Sequence, residues 1–233
     1  DALGSCLALY HFFKSKNEVN IISPNEYTDI LNFLPGSKNI LIYENDKVKC
    51  EDAFKKADVV FTLDFNSLNR ARNLSSLISS STTKTIMIDH HENPDNYADI
   101  TISNSKMSST CEMVYDFICS IDKSKIDNKI ATCIYTGIVA DTGSFRFPST
   151  TSKTLKVGSE LINYGVNVTE IFEKLHNNFQ FKRLKLLGSA INNFKKIDGL
   201  PVVYTSITDK DQKVNDFKKG DSEGFVNFGL SVA

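Results

Sequence analysis

No apolar run in the sequence approaches the ~18–20 residues needed to cross a bilayer, so a membrane is not an expected partner. There is no surplus of positive charge either. The 27 lysines and arginines face 28 aspartates and glutamates, a net charge of −1. Non-specific binding to a long duplex rests on many phosphate–cation contacts, so a long duplex is not an expected partner, while a small anionic substrate held by metals stays open. Cysteine is sparse and unpatterned. The five (Cys6, Cys50, Cys111, Cys119, Cys133) are odd in number and form no C-x-x-C, the usage of reduced, packed thiols in a cytoplasmic protein. No repeat, low-complexity segment or signal peptide is visible. The sequence also lacks an initial Met and begins inside what reads as a helix start, so its first residue is not expected to be the natural one.

What is present supports a core. The hydrophobic fraction is 41% over 233 residues, enough for one large domain or one and a half. Residues 3–13 read as a buried helix. Val19–Ser23, Ile40–Tyr43, Val59–Asp64 and Thr85–Asp89 read as short apolar strands, with helical or polar stretches such as 51–57 and 67–80 between them. This alternation predicts an α/β fold, mainly a parallel sheet with helices on both faces. Ser109-x-x-Glu112 fits a capping box opening a helix to about Ile121. A second apolar stripe predicts a helix over Lys125–Val139. Ser152–Tyr164 predicts a helix closed by Gly165. Asn167-x-x-Glu170 opens another to about Phe179, Phe181–Phe194 a third, and Pro201–Ile207 reads again as a strand. The stretch 208–221 reads as a solvated loop or helix face. Strands, then helices in succession, then a strand suggest a catalytic domain over 1–165, a helical connector over 166–196 and the start of a smaller second α/β domain over 197–233.

The candidate chemistry lies at Asp1, Asp64, the triplet Asp89–His90–His91, and Asp141. Asp64 and Asp89 each end an apolar strand, and ligands of wound α/β sheets collect outside the carboxyl ends of their strands. Asp141 follows the apolar helix end TGIVA. Taken singly, each acid has a plainer role. A strand-end Asp is usually a turn or cap, Asp1 would cap its own helix, and Asp141 would close a turn. Two adjacent histidines after a buried strand are harder to dismiss in a chain with four in all. His11 and His176 lie in helical patterns and read as packing or surface residues. Carboxylates that converge without lysine or arginine repel one another unless divalent ions join them, and mixed carboxylate–imidazole sets suit Mn²⁺, Zn²⁺ or Fe²⁺. Two such ions ~3.5–4 Å apart would share one carboxylate and clamp a phosphoryl group for in-line attack by an activated hydroxide. Ser108, Ser109 and Thr110 sit at a predicted helix N-terminus, which either favours a phosphate or is a plain cap. Arg146, between Phe145 and Phe147, either pairs a substrate phosphate while a phenylalanine stacks on a base, or is a surface residue between two core rings.

The segments DALGS (1–5), TLDFNSLNR (62–70), IDHHENP (88–94) and TGIVADTGSFRF (136–147) resemble, in order, the motifs of the DHH phosphoesterase superfamily. That superfamily includes RecJ-type exonucleases, family II inorganic pyrophosphatases, cyclic-di-AMP phosphodiesterases and bifunctional oligoribonuclease/pAp phosphatases. With SSTCE between the third and fourth motifs, the chain is most similar to the last group. The resemblance implies that Asp1, His90 and Asp141 ligate the second metal and that Asp64 bridges both. It implies that His91 faces the phosphate and stabilises the transition state, and that Asp89 orients His90 or a neighbour. It implies two Mn²⁺ ions, with Mg²⁺, Co²⁺ or Zn²⁺ as alternatives. The family's first motif is H-x-x-P-D-x-D, so its His and first Asp are expected before residue 1, and a GGGH-like substrate-binding stretch is expected beyond residue 233. The chain is therefore expected to be trimmed at both ends and impaired as given.

The function implied is 3′-5′ hydrolysis of very short oligoribonucleotides, or removal of the 3′-phosphate of pAp. The alternatives are a cyclic-dinucleotide or pApA phosphodiesterase, and a non-catalytic nucleotide-binding relative. SSTCE and GSFRF look unlike a family II pyrophosphatase. The expected partner is a small nucleotide or very short RNA in the cytoplasm, with a homodimer left open.

Overall fold

The computed structural model describes residues 1–177, 181–218, 220–222 and 224–231. These fall into two compact units, Asp1–Leu175 and His176–Ala233.

In the first unit, helix α1 (Ala2–Phe13) is apolar and buries Leu7, Ala8, Leu9 and Phe12. Strands β1 (Ile21–Ser23) and β2 (Ile40–Ile42) pair in parallel. Helix α2 (Lys47–Lys56) leads to β3 (Val59–Leu63). The 67–80 stretch expected to be helical is mostly a 3-10 segment, Leu68–Leu74, broken at Arg72 (φ 51°), before a short α3 (Ser75–Ser79). Strands β4 (Lys84–Asp89) and β5 (Ile100–Ser103) complete a parallel sheet in the order β3-β4-β5. The sheet sets Leu63 beside Ile88 and Ile88 beside Ile102. Strand β5 is absent from the sequence reading because the connection from β4 carries no helix to announce a crossover.

Helix α4 (Thr110–Asp122) begins where expected. Helix α5 (Asn128–Asp141) starts later than its apolar stripe, because the Asp127 side chain accepts from Ile130 N–H and fixes the first turn there. It ends on Asp141 itself. Helix α6 (Ser152–Ile162) is opened by a Thr151–Thr154 capping box, and Gly165 follows with φ 82°. Helix α7 (Val168–Phe172) is capped by Asn167 and passes into a π-helical turn, Glu173–Asn177. The expected end at Phe179 lies outside the described residues.

Alternation along the strands gives the sheet two covered faces. Phe61, Leu63, Ile86, Ile88 and Ile102 join the core built on α1, α4, α5 and α6. Val60, with Ile22 and Leu41, joins a second cluster around Tyr43, Cys50, Phe54, Leu74 and Ile78. The fold is thus α/β with parallel strands and helices on both faces, as the alternation predicts. Among the described residues no helix is long and apolar enough to cross a membrane.

In the second unit, α8 (Phe181–Asn192) precedes a two-stranded antiparallel ribbon of β6 (Lys195–Lys196) and β7 (Val203–Tyr204). The strand expected over Pro201–Ile207 is therefore two residues long. Helices α9 (Asp209–Val214) and α10 (Val226–Gly229) follow, and Leu186, Ala190 and Phe225 form the local core.

Helices α1 and α5 approach closely where Gly4 and Gly137 leave room for Cys111. A Cβ at Gly137 would overlap Cys111 Sγ and come to 3.1 Å from Asp1 Oδ1; one at Gly4 would lie 2.6 Å from the Cys133 carbonyl. Alanine favours a helix over glycine by about 1 kcal/mol. Gly137→Ala should nevertheless lower stability, by roughly 1–3 kcal/mol, because overpacking outweighs propensity. A urea titration showing a raised midpoint would contradict this packing.

Candidate metal centre

Because β3 and β4 run parallel and in register, their carboxyl ends lie side by side, and Asp64 and His90 emerge together. Asp64 leaves the sheet in the left-handed region (φ 66°), which Asp tolerates better than most residues. Its neighbours are fastened. Asp64 N–H donates to the Ile88 carbonyl at 3.2 Å. The Tyr97 hydroxyl meets Thr62 Oγ1 at 2.8 Å and donates to the Phe65 carbonyl at 3.4 Å. Burial pushes that hydroxyl up to about 12, so it stays a donor.

Three carboxylates gather on one ring nitrogen. His90 Nε2 lies 3.2 Å from Asp141 Oδ2, 3.8 Å from Asp1 Oδ2 and 3.8 Å from Asp64 Oδ1. The other nitrogen, Nδ1, faces the Met107 carbonyl at 3.3 Å. A carbonyl only accepts, so Nδ1 carries a proton, and a neutral ring would direct its Nε2 lone pair toward the acids.

Asp141 sits on the last residue of α5, at the negative end of the helix dipole, where an anion is disfavoured. Burial also raises its carboxyl above the ordinary value, although His90 opposes the shift. Asp1 is differently placed. Its side chain does not cap its own helix, contrary to the plainer reading. It reaches the start of α4, taking Thr110 N–H at 2.7 Å and Cys111 N–H at 2.9 Å. The Thr110 hydroxyl donates to Asp64 Oδ1 at 3.1 Å.

Ser108, Ser109 and Thr110 are buried, and the Ser108, Thr110 and Cys111 N–H groups are taken up by the Glu112 and Asp1 carboxylates. Ser109 Oγ accepts from Glu112 N–H at 3.0 Å. The capping box is only half formed, because the Glu112 carboxylate does not return to Ser109. It accepts instead from Ser108 N–H at 3.3 Å, from the Ser108 hydroxyl, and from the Thr154 hydroxyl at 3.0 Å.

Asp89 is fully buried and serves His91 rather than His90. Its Oδ1 accepts from His91 Nδ1–H at 2.7 Å and its Oδ2 from His91 N–H at 2.9 Å. His91 lies beside the acids, with Nδ1 4.0 Å from Asp64 Oδ1. Arg146 is exposed and follows a left-handed turn at Gly143, Ser144 and Phe145 (φ 54°, 65° and 63°). Its Nε donates to the Gly143 carbonyl at 2.7 Å. Phe145 packs edge-on against Tyr135, while Phe147 is exposed. His11 is a packing residue, with Nε2 2.8 Å from the Pro35 carbonyl.

Two donor groups, Asp64–His90–His91 and Asp1–His90–Asp141, each keep their ligand atoms within 4.8 Å of one another. Among the described residues the ion-pair partners of Asp1, Asp64 and Asp141 are histidines, not lysine or arginine. Converging acids around an imidazole lone pair fit a divalent first-row cation. Sequence reasoning missed Met107, Tyr97 and Glu112, whose parts in the site depend on tertiary contacts that leave no local signal.

The DHH family, N-terminal domain, matches residues 1–138. The chain is 37% identical over 143 residues to the bifunctional oligoribonuclease and PAP phosphatase NrnA of Bacillus subtilis (strain 168), covering 56% of this chain and 46% of that protein. It is 34% identical over 110 residues to the NrnA of Thermus thermophilus, covering 46% and 32%. The chain thus spans less than half the length of these relatives. The crystal structure of an exopolyphosphatase-related protein from Bacteroides fragilis superposes with a TM-score of 0.97 at 40% identity, covering 100% of this chain and 69% of that one.

Proposed function

The chain belongs to the DHH family, and from that premise we propose that it forms the body of a divalent-metal phosphoesterase cutting very short oligoribonucleotides and the 3′-phosphate of pAp. The observation that carries the reading is the convergence of Asp1, Asp64 and Asp141 on the Nε2 of His90. The names of the NrnA relatives support the substrate class. Five free cysteines agree with a reducing cytoplasm.

In this reading Asp1, Asp64, His90 and Asp141 hold the metal, with Mn²⁺ the ion proposed. Bound there, such an ion would neutralise the acids, polarise a phosphoryl oxygen and acidify a water. The chain's own residues do the rest. The Met107 carbonyl keeps His90 in the tautomer whose Nε2 can ligate. The α4 N-terminus and the Thr110 hydroxyl hold Asp1 and Asp64 in place. Asp89 fixes the proton of His91 on Nδ1, so His91 Nε2 is the atom that exchanges a proton with a phosphate oxygen. Arg146, braced by Gly143, offers its guanidinium to a substrate phosphate.

A panel with Mn²⁺ on the full-length protein tests this, comparing pAp, a diribonucleotide, cyclic-di-AMP, pyrophosphate and polyphosphate. We expect pAp and the diribonucleotide to be hydrolysed fastest and a chelator to stop both. Preferred cleavage of pyrophosphate or polyphosphate, or turnover that survives the chelator, would overturn the reading.

A further inference from the structure

We propose that Glu112 is a positioning residue for the metal centre, anchoring the five-residue segment 107–111 from which three of the four proposed ligands are held. The proposal rests on the metal-binding reading above. Glu112 is 1% exposed, and its side chain touches none of the proposed ligands directly in the hydrogen-bond pattern. One oxygen, Oε2, gathers Ser108 N–H, the Ser108 hydroxyl and the Thr154 hydroxyl. Its own N–H is held by Ser109 Oγ. Thr154 is itself locked in the capping box at the start of α6, so Glu112 ties the loop before α4 to a second helix.

That loop is where the site is supported. Met107, adjacent to Ser108, supplies the carbonyl that meets His90 Nδ1. Thr110 and Cys111 supply the N–H groups that clasp Asp1. The Thr110 hydroxyl reaches Asp64. A shift of this segment would move His90, Asp1 and Asp64 together. Ser109 already caps α4, so the Glu112 carboxylate is not needed for that cap and is turned to Ser108 and Thr154 instead.

The test is Mn²⁺ affinity, read by titrating free Mn²⁺ with protein and following its paramagnetic resonance signal, beside thermal melting of the metal-free protein. Glu112→Ala should weaken Mn²⁺ binding roughly 10–100-fold, the range seen when outer partners of metal ligands are lost. Glu112→Gln keeps one acceptor oxygen and should recover most of that affinity. Leu161→Ala, in the same core but outside the segment, should lower the melting temperature and leave Mn²⁺ affinity unchanged. If Glu112→Ala does not fold, Ser108→Ala should show a smaller loss of affinity in the same direction. Should Glu112→Ala, or Ser108→Ala in its place, alter affinity no more than Leu161→Ala does, the positioning role is wrong. Failure of the unmodified chain to bind Mn²⁺ would instead remove the metal reading itself, and this proposal with it.

Discussion

In the full-length protein, Asp64→Ala should strip the centre of metal and remove nearly all turnover. Asp64 Oδ1 is the carboxylate oxygen within 4.0 Å of both ring nitrogens, 3.8 Å from His90 Nε2 and 4.0 Å from His91 Nδ1. It belongs to the donor group that also includes both histidines. Losing an outer partner of a ligand costs roughly 10–100-fold, so losing this ligand should exceed that range. The substitution has a second effect, because Asp64 sits at φ 66° and alanine in that region costs about 1–2 kcal/mol. Asp64→Asn separates the two, since asparagine accepts the left-handed backbone and can still receive the Thr110 hydroxyl but carries no charge. Both variants should lose metal, measured by elemental analysis of protein purified with Mn²⁺, and both should fail to hydrolyse pAp. Full metal content in Asp64→Ala would contradict the shared-ligand role.

His91→Ala should act on the chemistry and spare the metal. The Nδ1 of His91 is engaged by Asp89 at 2.7 Å, so that atom is not free to serve an ion. If the ring stabilises charge developing on the phosphate, its removal should slow turnover roughly 10²–10³-fold, the range for losing one donor aimed at developing charge. Mn²⁺ affinity should change little. Asp89→Asn should reproduce part of the slowing, because an amide NH₂ turned toward Nδ1 cannot accept its proton and would favour the other tautomer. Loss of metal in His91→Ala would make His91 a ligand, and unchanged turnover would remove it from the mechanism.

The parts of this protein that were legible in the sequence share a cause. Short runs such as VVFTL and TIMID read as buried parallel strands because their residues are apolar and mostly β-rich. Parallel pairing then obliges Asp64 and His90 to emerge at one edge. The end of α5 brings Asp141 to the same place. What was hidden depends on partners far away in the chain. The start of α4 does attract an anion, as a helix N-terminus should, but the anion is the Asp1 carboxylate, 109 residues distant, rather than a phosphate. Asp89 was expected to serve His90 or a neighbour, and only the fold shows that its oxygens close on His91. The Glu112 motif read as a capping box because sequence spacing cannot reveal that Thr154 waits on another helix. Strand β5 escaped because four residues, without a crossover helix before them, carry too little pattern.

Asp1, Asp64, His90 and Asp141 are proposed to hold a divalent ion. Anomalous diffraction at the manganese edge, from crystals of this chain soaked in Mn²⁺, tests it most directly. A peak is expected among these four side chains, within ~2.0–2.2 Å of His90 Nε2 and of carboxylate oxygens from the acids. A fully soaked crystal with no peak there, or with its strongest peak on residues away from His90, would contradict it.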